Sequence, residues 1–199
     1  MFYRAGTNDH GLERDPFKAL VVPRPIGWVS SQSEDGVVNL APYSYFNAMG
    51  DRPYYLVFSG GGLKDSERNI LETKEFVCSL ATYDLRDAMN TTSAGVASGV
   101  DEFELAGLAK ASSTLVAPPR VAASPVHFEC RLHDVVKLPG HDPAVPHYTM
   151  LIGEVLGIHI DEKVLTDGRV DVRKMRPIAR LGYMDYAVVD DFFSLERPG

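Results

Sequence analysis

Two stretches of the chain concentrate groups able to grip a small molecule. Asn39-Leu40-Ala41-Pro42-Tyr43-Ser44-Tyr45-Phe46-Asn47 brings side-chain amides, a serine hydroxyl and three aromatic rings close together. Its small residues and its proline would set backbone amides at a ligand's edge. Lys64-Asp65-Ser66 stands at the start of an expected helix. There the unpaired N–H groups and the positive dipole end favour an anion, and Lys64 adds a full charge. Together these groups suit a planar, phosphorylated ligand. Each stretch also has a plainer reading: a strand-to-loop turn carrying core aromatics, and a capped surface helix.

Self-sufficient catalytic arrangements are missing. The sequence has no HExxH, no GxSxG nucleophile elbow, no Walker A motif and no Rossmann glycine fingerprint. Gly60-Gly61-Gly62 followed by Lys64 superficially suggests a phosphate loop, but no GK[ST] follows. His127 and His133 lie six apart on one alternating stretch and could share a face, although a pair of core or surface histidines needs nothing further to explain it. His141 and His147 flank a proline-bearing loop. With only Cys78 and Cys130, a disulfide framework and a thiolate-only zinc site are excluded, and two buried thiols are expected.

The elements that must position these groups read as mainly β. Ala19–Ser31 is expected as a strand interrupted by Pro-Arg-Pro, followed by an Asp35-Gly36 turn and a return strand at Val37–Leu40. Tyr54–Phe58 is a strand ending in the three glycines. Asp65–Thr73 is a helix and Phe76–Leu80 a buried strand. A helix capped by Asp84 is expected over Asp84–Ala97, and a shorter one over Glu102–Lys110. Val126–Val136 alternates at period two, Pro139–Pro146 is a loop, and Tyr148–Ile160 is a long strand with Gly153 and Gly157 inside it. Asp167-Gly168 is a turn, and Ile178–Val189 closes the fold. Helices inserted between strands, without regular alternation, favour an antiparallel barrel over a doubly wound sheet.

Composition sets the outer limits. The chain has 199 residues, is 45% hydrophobic and carries a net charge of −7. At this size about 70% of the unfolded surface can be buried, so one domain over 1–199 is expected. The acidic balance argues against a nucleic-acid or anionic-membrane surface. The polar N-terminus lacks a signal-peptide core, and no apolar run approaches the roughly 20 residues of a membrane span. The expectation is a soluble cytoplasmic protein.

Arg24-Pro25-Ile26-Gly27-Trp28-Val29-Ser30-Ser31 is followed by Asn39 to Asn47, then by Lys64-Asp65-Ser66 with Asn69-Ile70. The series continues through Glu75–Leu80, Pro125–Cys130, Ile152–Val155 and Arg180-Leu181-Gly182. In these ordered motifs the sequence resembles the flavin reductase-like, FMN-binding split-barrel family. The resemblance implies a mainly β, six-stranded antiparallel split barrel with inserted helices, a homodimer, and FMN near the subunit interface. It implies that Trp28, Val29, Ser30 and Ser31, together with Asn39, Ala41, Pro42, Ser44, Tyr45 and Asn47, line the flavin. Backbone amides near Ala41 to Ser44 would face the pyrimidine edge. Lys64, Asp65, Ser66 and Ser44 would meet the phosphate, and Arg180 would serve the phosphate or the pyrimidine edge. Trp28 also reads as a core residue and Arg180 as a salt-bridged strand arginine.

The activity implied is NAD(P)H-dependent flavin reduction, with NADH or NADPH passing hydride to flavin N5 and reduced flavin going to a partner monooxygenase in some members. The alternative is a non-enzymatic FMN electron carrier. Hydride transfer needs no acid–base side chain, in keeping with the missing triad, and no catalytic residue or metal ligand is expected. Many relatives have threonine where Ser66 stands, which keeps the hydroxyl. Some have a histidine shortly before Gly-Glu-Val near the nicotinamide; His147 precedes Gly153 here at a spacing that does not match.

Overall fold

Alternating and fully apolar segments assemble into one large sheet in a computed structural model that describes residues 1–140, 142 and 147–199. Its strands are β1 (Gly27–Gln32), β2 (Val38–Tyr43), β3 (Phe46–Asp51), β4 (Tyr54–Gly61), β5 (Glu75–Leu80), β6 (Val126–Leu138) and β7 (Tyr148–Ile160). The order is β2-β1-β5-β6-β7-β4-β3, and every neighbouring pair is antiparallel. The expected class, mainly β and antiparallel with inserted helices, therefore holds, but this sheet has seven strands where six were expected. One strand that pattern reading passed over is β3. Its Asn47, Ala48, Met49, Gly50 and Asp51 are exposed, so no buried face imposes alternation, and backbone pairing with β4 alone defines it.

Two apolar clusters flank β1. Val29, Phe58, Ile70, Phe76, Cys78, Cys130 and Leu151 pack together in one. Ile26, Trp28, Leu40, Met89, Phe103, Val121 and Ile178 form the other. Successive β1 side chains enter opposite clusters, which explains a strand buried along almost its whole length. Both cysteines are buried and free, as expected; burial pushes the Cys130 thiol well up.

Three helices, α1 (Asp65–Thr73), α2 (Arg86–Thr91) and α3 (Glu102–Leu105), matter for the site. α1 has the expected bounds and stops at Lys74, whose φ is +66°. α2 is much shorter than the expected Asp84–Ala97. Thr92 and Ser93 hydroxyls turn back onto the carbonyls of Met89 (2.8 Å) and Asn90 (2.6 Å), competing with helix propagation. Asp84 caps nothing; it faces Arg176 at 3.4 Å. α3 ends before Gly107, whose φ is +65°, and not at Lys110, which joins a two-stranded ladder.

The two ends of the chain share a small sheet. Phe17–Leu20 is a helical turn, so the proline-interrupted strand expected from Ala19 begins only at Arg24–Pro25, paired with Ala179 and Arg180. The closing segment splits into a hairpin, Ile178–Arg180 against Tyr186–Val188. Asp167 and Gly168 both have positive φ, 49° and 73°, in the turn that joins Leu165–Thr166 to Arg169–Val170. Part of the Pro139–Pro146 loop, with His141, lies outside the described residues. Among the described residues no helix is long and apolar enough to cross a membrane.

Candidate ligand-binding cleft

A cleft of about 480 Å³ opens where β2, the end of β4 and the start of α1 meet. Asn39, Ala41, Pro42 and Tyr43 of β2 form one wall, continued by Ser44 and Tyr45. Ser59, Gly60 and Gly61 of β4 lie opposite, and Lys64, Asp65 and Ser66 close one end. The irregular segment after α2 (Thr92 to Val96, and Ser98) and Tyr148 complete the rim. Gly60 is needed for the close approach: a Cβ there would meet the Tyr43 ring at 3.1 Å. Tyr43 in turn is seated on Phe58, with ring centroids 4.7 Å apart.

The floor is braced by buried polar groups. Asn39 Nδ2 donates to Ser66 Oγ at 2.7 Å, which ties β2 to the first turn of α1. Asn69 Nδ2 donates to Ser31 Oγ at 3.3 Å one turn further on. Glu102, also on the cleft, accepts from the Leu40 amide at 2.9 Å. Burial raises the Glu102 carboxyl above the usual range, and the hydrogen bond from Leu40 opposes that rise. Burial likewise pushes up the Tyr43 phenol, and in smaller measure its hydrogen bond with Ser66 draws it back.

The charged end is open. Lys64 occupies the N-cap position of α1 in an extended conformation, and its side chain makes no capping hydrogen bond. It is exposed and, among the described residues, joins none of the ion pairs. Asp65 is held by Arg68 one turn along. An anion arriving at this helix start would meet the ammonium and the first-turn amides.

A family model described as a flavin reductase like domain matches residues 19–184, most of the chain. The chain belongs to this flavin reductase-like family. An uncharacterized protein of Aquifex aeolicus is 41% identical over 169 residues, 82% of this chain and 83% of that one. Among solved structures, nitrilotriacetate monooxygenase component B from Bacillus cereus superposes with a TM-score of 0.88 at 31% identity, covering 98% of both chains. A Shewanella frigidimarina protein with a split barrel domain gives a TM-score of 0.86 at 20% identity over the whole of both chains, a likeness of fold.

Of the residues singled out in the sequence, Asn39, Ala41, Pro42, Ser44, Tyr45, Lys64, Asp65 and Ser66 converge on the cleft. The others go elsewhere. Trp28 and Val29 are fully buried in the two clusters, and Trp28 Nε1 donates to Thr92 Oγ1 at 2.9 Å. Ser30 is buried and donates to the Pro119 carbonyl at 2.5 Å, and Ser31 meets Asn69. None of the four lines the cleft; β1 pairs with β2 along its length in the same sheet. Asn47 sits exposed on β3 and accepts from the Ala48 amide. Arg180 borders a different cavity, with its guanidinium 4.4 Å from the Tyr186 ring centroid.

Sequence reading missed Thr92 to Val96, Glu102, Ser59, Gly60, Gly61 and Tyr148 as cleft residues. The run Thr91-Thr92-Ser93-Ala94-Gly95, poor in helix-favouring chemistry, was the available signal for a loop. His127 and His133 do not share a face. His127 is buried against Ser79 Oγ at 3.0 Å, while His133 is exposed beside the Tyr55 ring. The pairing of β6 with β7 shifts register between them, which breaks the simple alternation. His147 is exposed, and its Nδ1 accepts from the Gly140 amide. Among the described residues no group of three or more metal-ligating side chains forms.

Proposed function

We propose that the chain is an NAD(P)H-dependent flavin reductase that holds FMN in the cleft between β2, β4 and the start of α1. The observation that carries this reading is the convergence of the two ligand-gripping stretches on one cavity with an uncapped, lysine-bearing helix start at its end. The cleft falls within the roughly 300–1,000 Å³ typical of cofactor sites. Its glycine wall leaves room beside Tyr43 that a side chain at Gly60 would take. FMN would supply the hydride-accepting N5 and the reduced nicotinamide the hydride; binding and orientation of both would be the work of the chain.

Lys64 and the first amides of α1 would hold the phosphate. The backbone of Ala41 to Ser44 would face the ring's pyrimidine edge, where fixed N–H dipoles would favour negative charge. Tyr45 and Tyr148, with centroids 5.9 Å apart, stand at the rim and limit how a second substrate approaches. Ser66, nearly inaccessible and bonded to Asn39, fixes the helix start relative to β2 more than it contacts ligand. Hydride transfer between two bound rings asks the protein for orientation, not for proton transfer. The likeness to a monooxygenase component supports a role in supplying reduced flavin to an oxygenase.

Anaerobic titration tests the reading. The full chain with FMN should lose its visible flavin absorbance on addition of NADH or NADPH. Flavin that binds but is bleached by neither nucleotide, and only by a reduced protein donor, would identify an electron carrier instead.

A further inference from the structure

We propose that the cavity between α2 and the C-terminal hairpin is a second binding site, separate from the cleft, for a purine nucleoside monophosphate. The cavity measures about 400 Å³. Met89 and Ile178, both buried, form an apolar floor, Tyr83 and Tyr186 stand at its sides, and Asp87 and Asn90 join the lining; the Tyr83 ring also carries the Arg176 guanidinium, 4.4 Å from its centroid. Arg86 and Arg180 border the same space. Each guanidinium lies over one of those rings, Arg86 at 4.2 Å from the Tyr83 centroid and Arg180 at 4.4 Å from that of Tyr186.

Stacking of this kind orients a guanidinium while leaving N–H edges for an acceptor. Arg86 donates to the Tyr83 carbonyl at 2.8 Å, and Arg180 donates to the Tyr183 carbonyl and meets Met184 Sδ at 3.7 Å. These contacts do not use up the five donors each side chain carries. Among the described residues Arg180 joins none of the ion pairs. Arg86 has Asp87 at 3.4 Å, a pair of exposed side chains with little hold on each other.

Two guanidiniums and one exposed carboxylate, Asp87, therefore border an apolar-floored hollow, a net positive lining on a chain of net charge −7. An inorganic anion would leave the floor uncovered. An apolar ligand would leave the guanidinium edges without acceptors. A planar ring bearing a phosphate satisfies both, and the volume exceeds what a single six-membered ring fills. The site does not depend on the flavin reading, since it shares no lining residue with the cleft.

Calorimetric titration of the full chain with 5′-AMP, with and without saturating FMN, is the test. Saturable one-to-one binding is expected, unchanged by FMN and by Lys64→Ala. Arg180→Met and Arg86→Met should each weaken it about tenfold, the scale of one charge-assisted contact. Arg180 braces the hairpin, so circular dichroism must show that its variant is folded; if it is not, Arg86→Met, at an exposed position, decides. No saturable binding at millimolar AMP, displacement by FMN, or full affinity in the arginine variants would overturn the proposal.

Discussion

Lys64 puts its ammonium at a helix start where no side chain occupies the first-turn amides. Removing that charge leaves the amides in place and takes away one charge-assisted contact. Lys64→Ala should therefore weaken FMN binding by about 1.5–3 kcal/mol, measured by flavin fluorescence quenching, with no loss of fold. Unchanged affinity would take Lys64 out of the site. At this scale the sequence was informative where chemistry and exposure coincide. Lys64, Ser44 and Tyr45 are polar or amphipathic groups beside turns, and they reach the cleft. It was less informative for Trp28 and Ser30, whose types suit a ligand and a core equally well; the choice depends on what packs over that face of β1, here the Thr92 and Pro119 segments.

β6 and β7 form the long ladder across which the apolar core is built, and Gly153 lies within it. A Cβ at Gly153 would come within 2.2 Å of the Phe76 ring, and Phe76 is fully buried. Gly153→Ala should lower stability by about 1–3 kcal/mol, the range for overpacking a core, read from the urea midpoint. Strand positions in this region were legible because period-two alternation marks a half-buried surface. The bulges were not, since they arise from how two strands accommodate each other. The α2 segment shows the converse failure. Ala and polar residues suggested a helix to Ala97, but hydroxyl groups at Thr92 and Ser93 capture the last carbonyls and release the chain to form a rim.

For the molecule as a whole, one buried histidine sets a pH dependence. Burial holds His127 down at about 4, from an ordinary 6.5, with the nearby Arg120 charge adding to the shift. The unfolded chain then binds a proton between those values that the folded chain refuses. Stability should fall as pH drops from about 6.5 towards 4, with a slope of at most about 1.4 kcal/mol per pH unit. Glu102, raised by burial, acts in the opposite sense above its ordinary 4.5. The measurement is therefore the difference between the wild type and His127→Asn in urea titrations across this range. Equal slopes in the two would show that His127 is not the group responsible.

Local pattern alone determined that this is a mainly β antiparallel protein, where most strands and α1 lie, and that Asn39 to Asn47 and Lys64 to Ser66 concentrate groups suited to a small ligand. Those properties rest on periodicity, turn chemistry and side-chain type, all carried by neighbours along the chain. Only the tertiary structure decided that the two stretches share one cleft, that the loop after α2 completes its rim, and that Arg180 serves a separate cavity. Such facts depend on contacts between residues distant in sequence, whose packing and register no short segment contains.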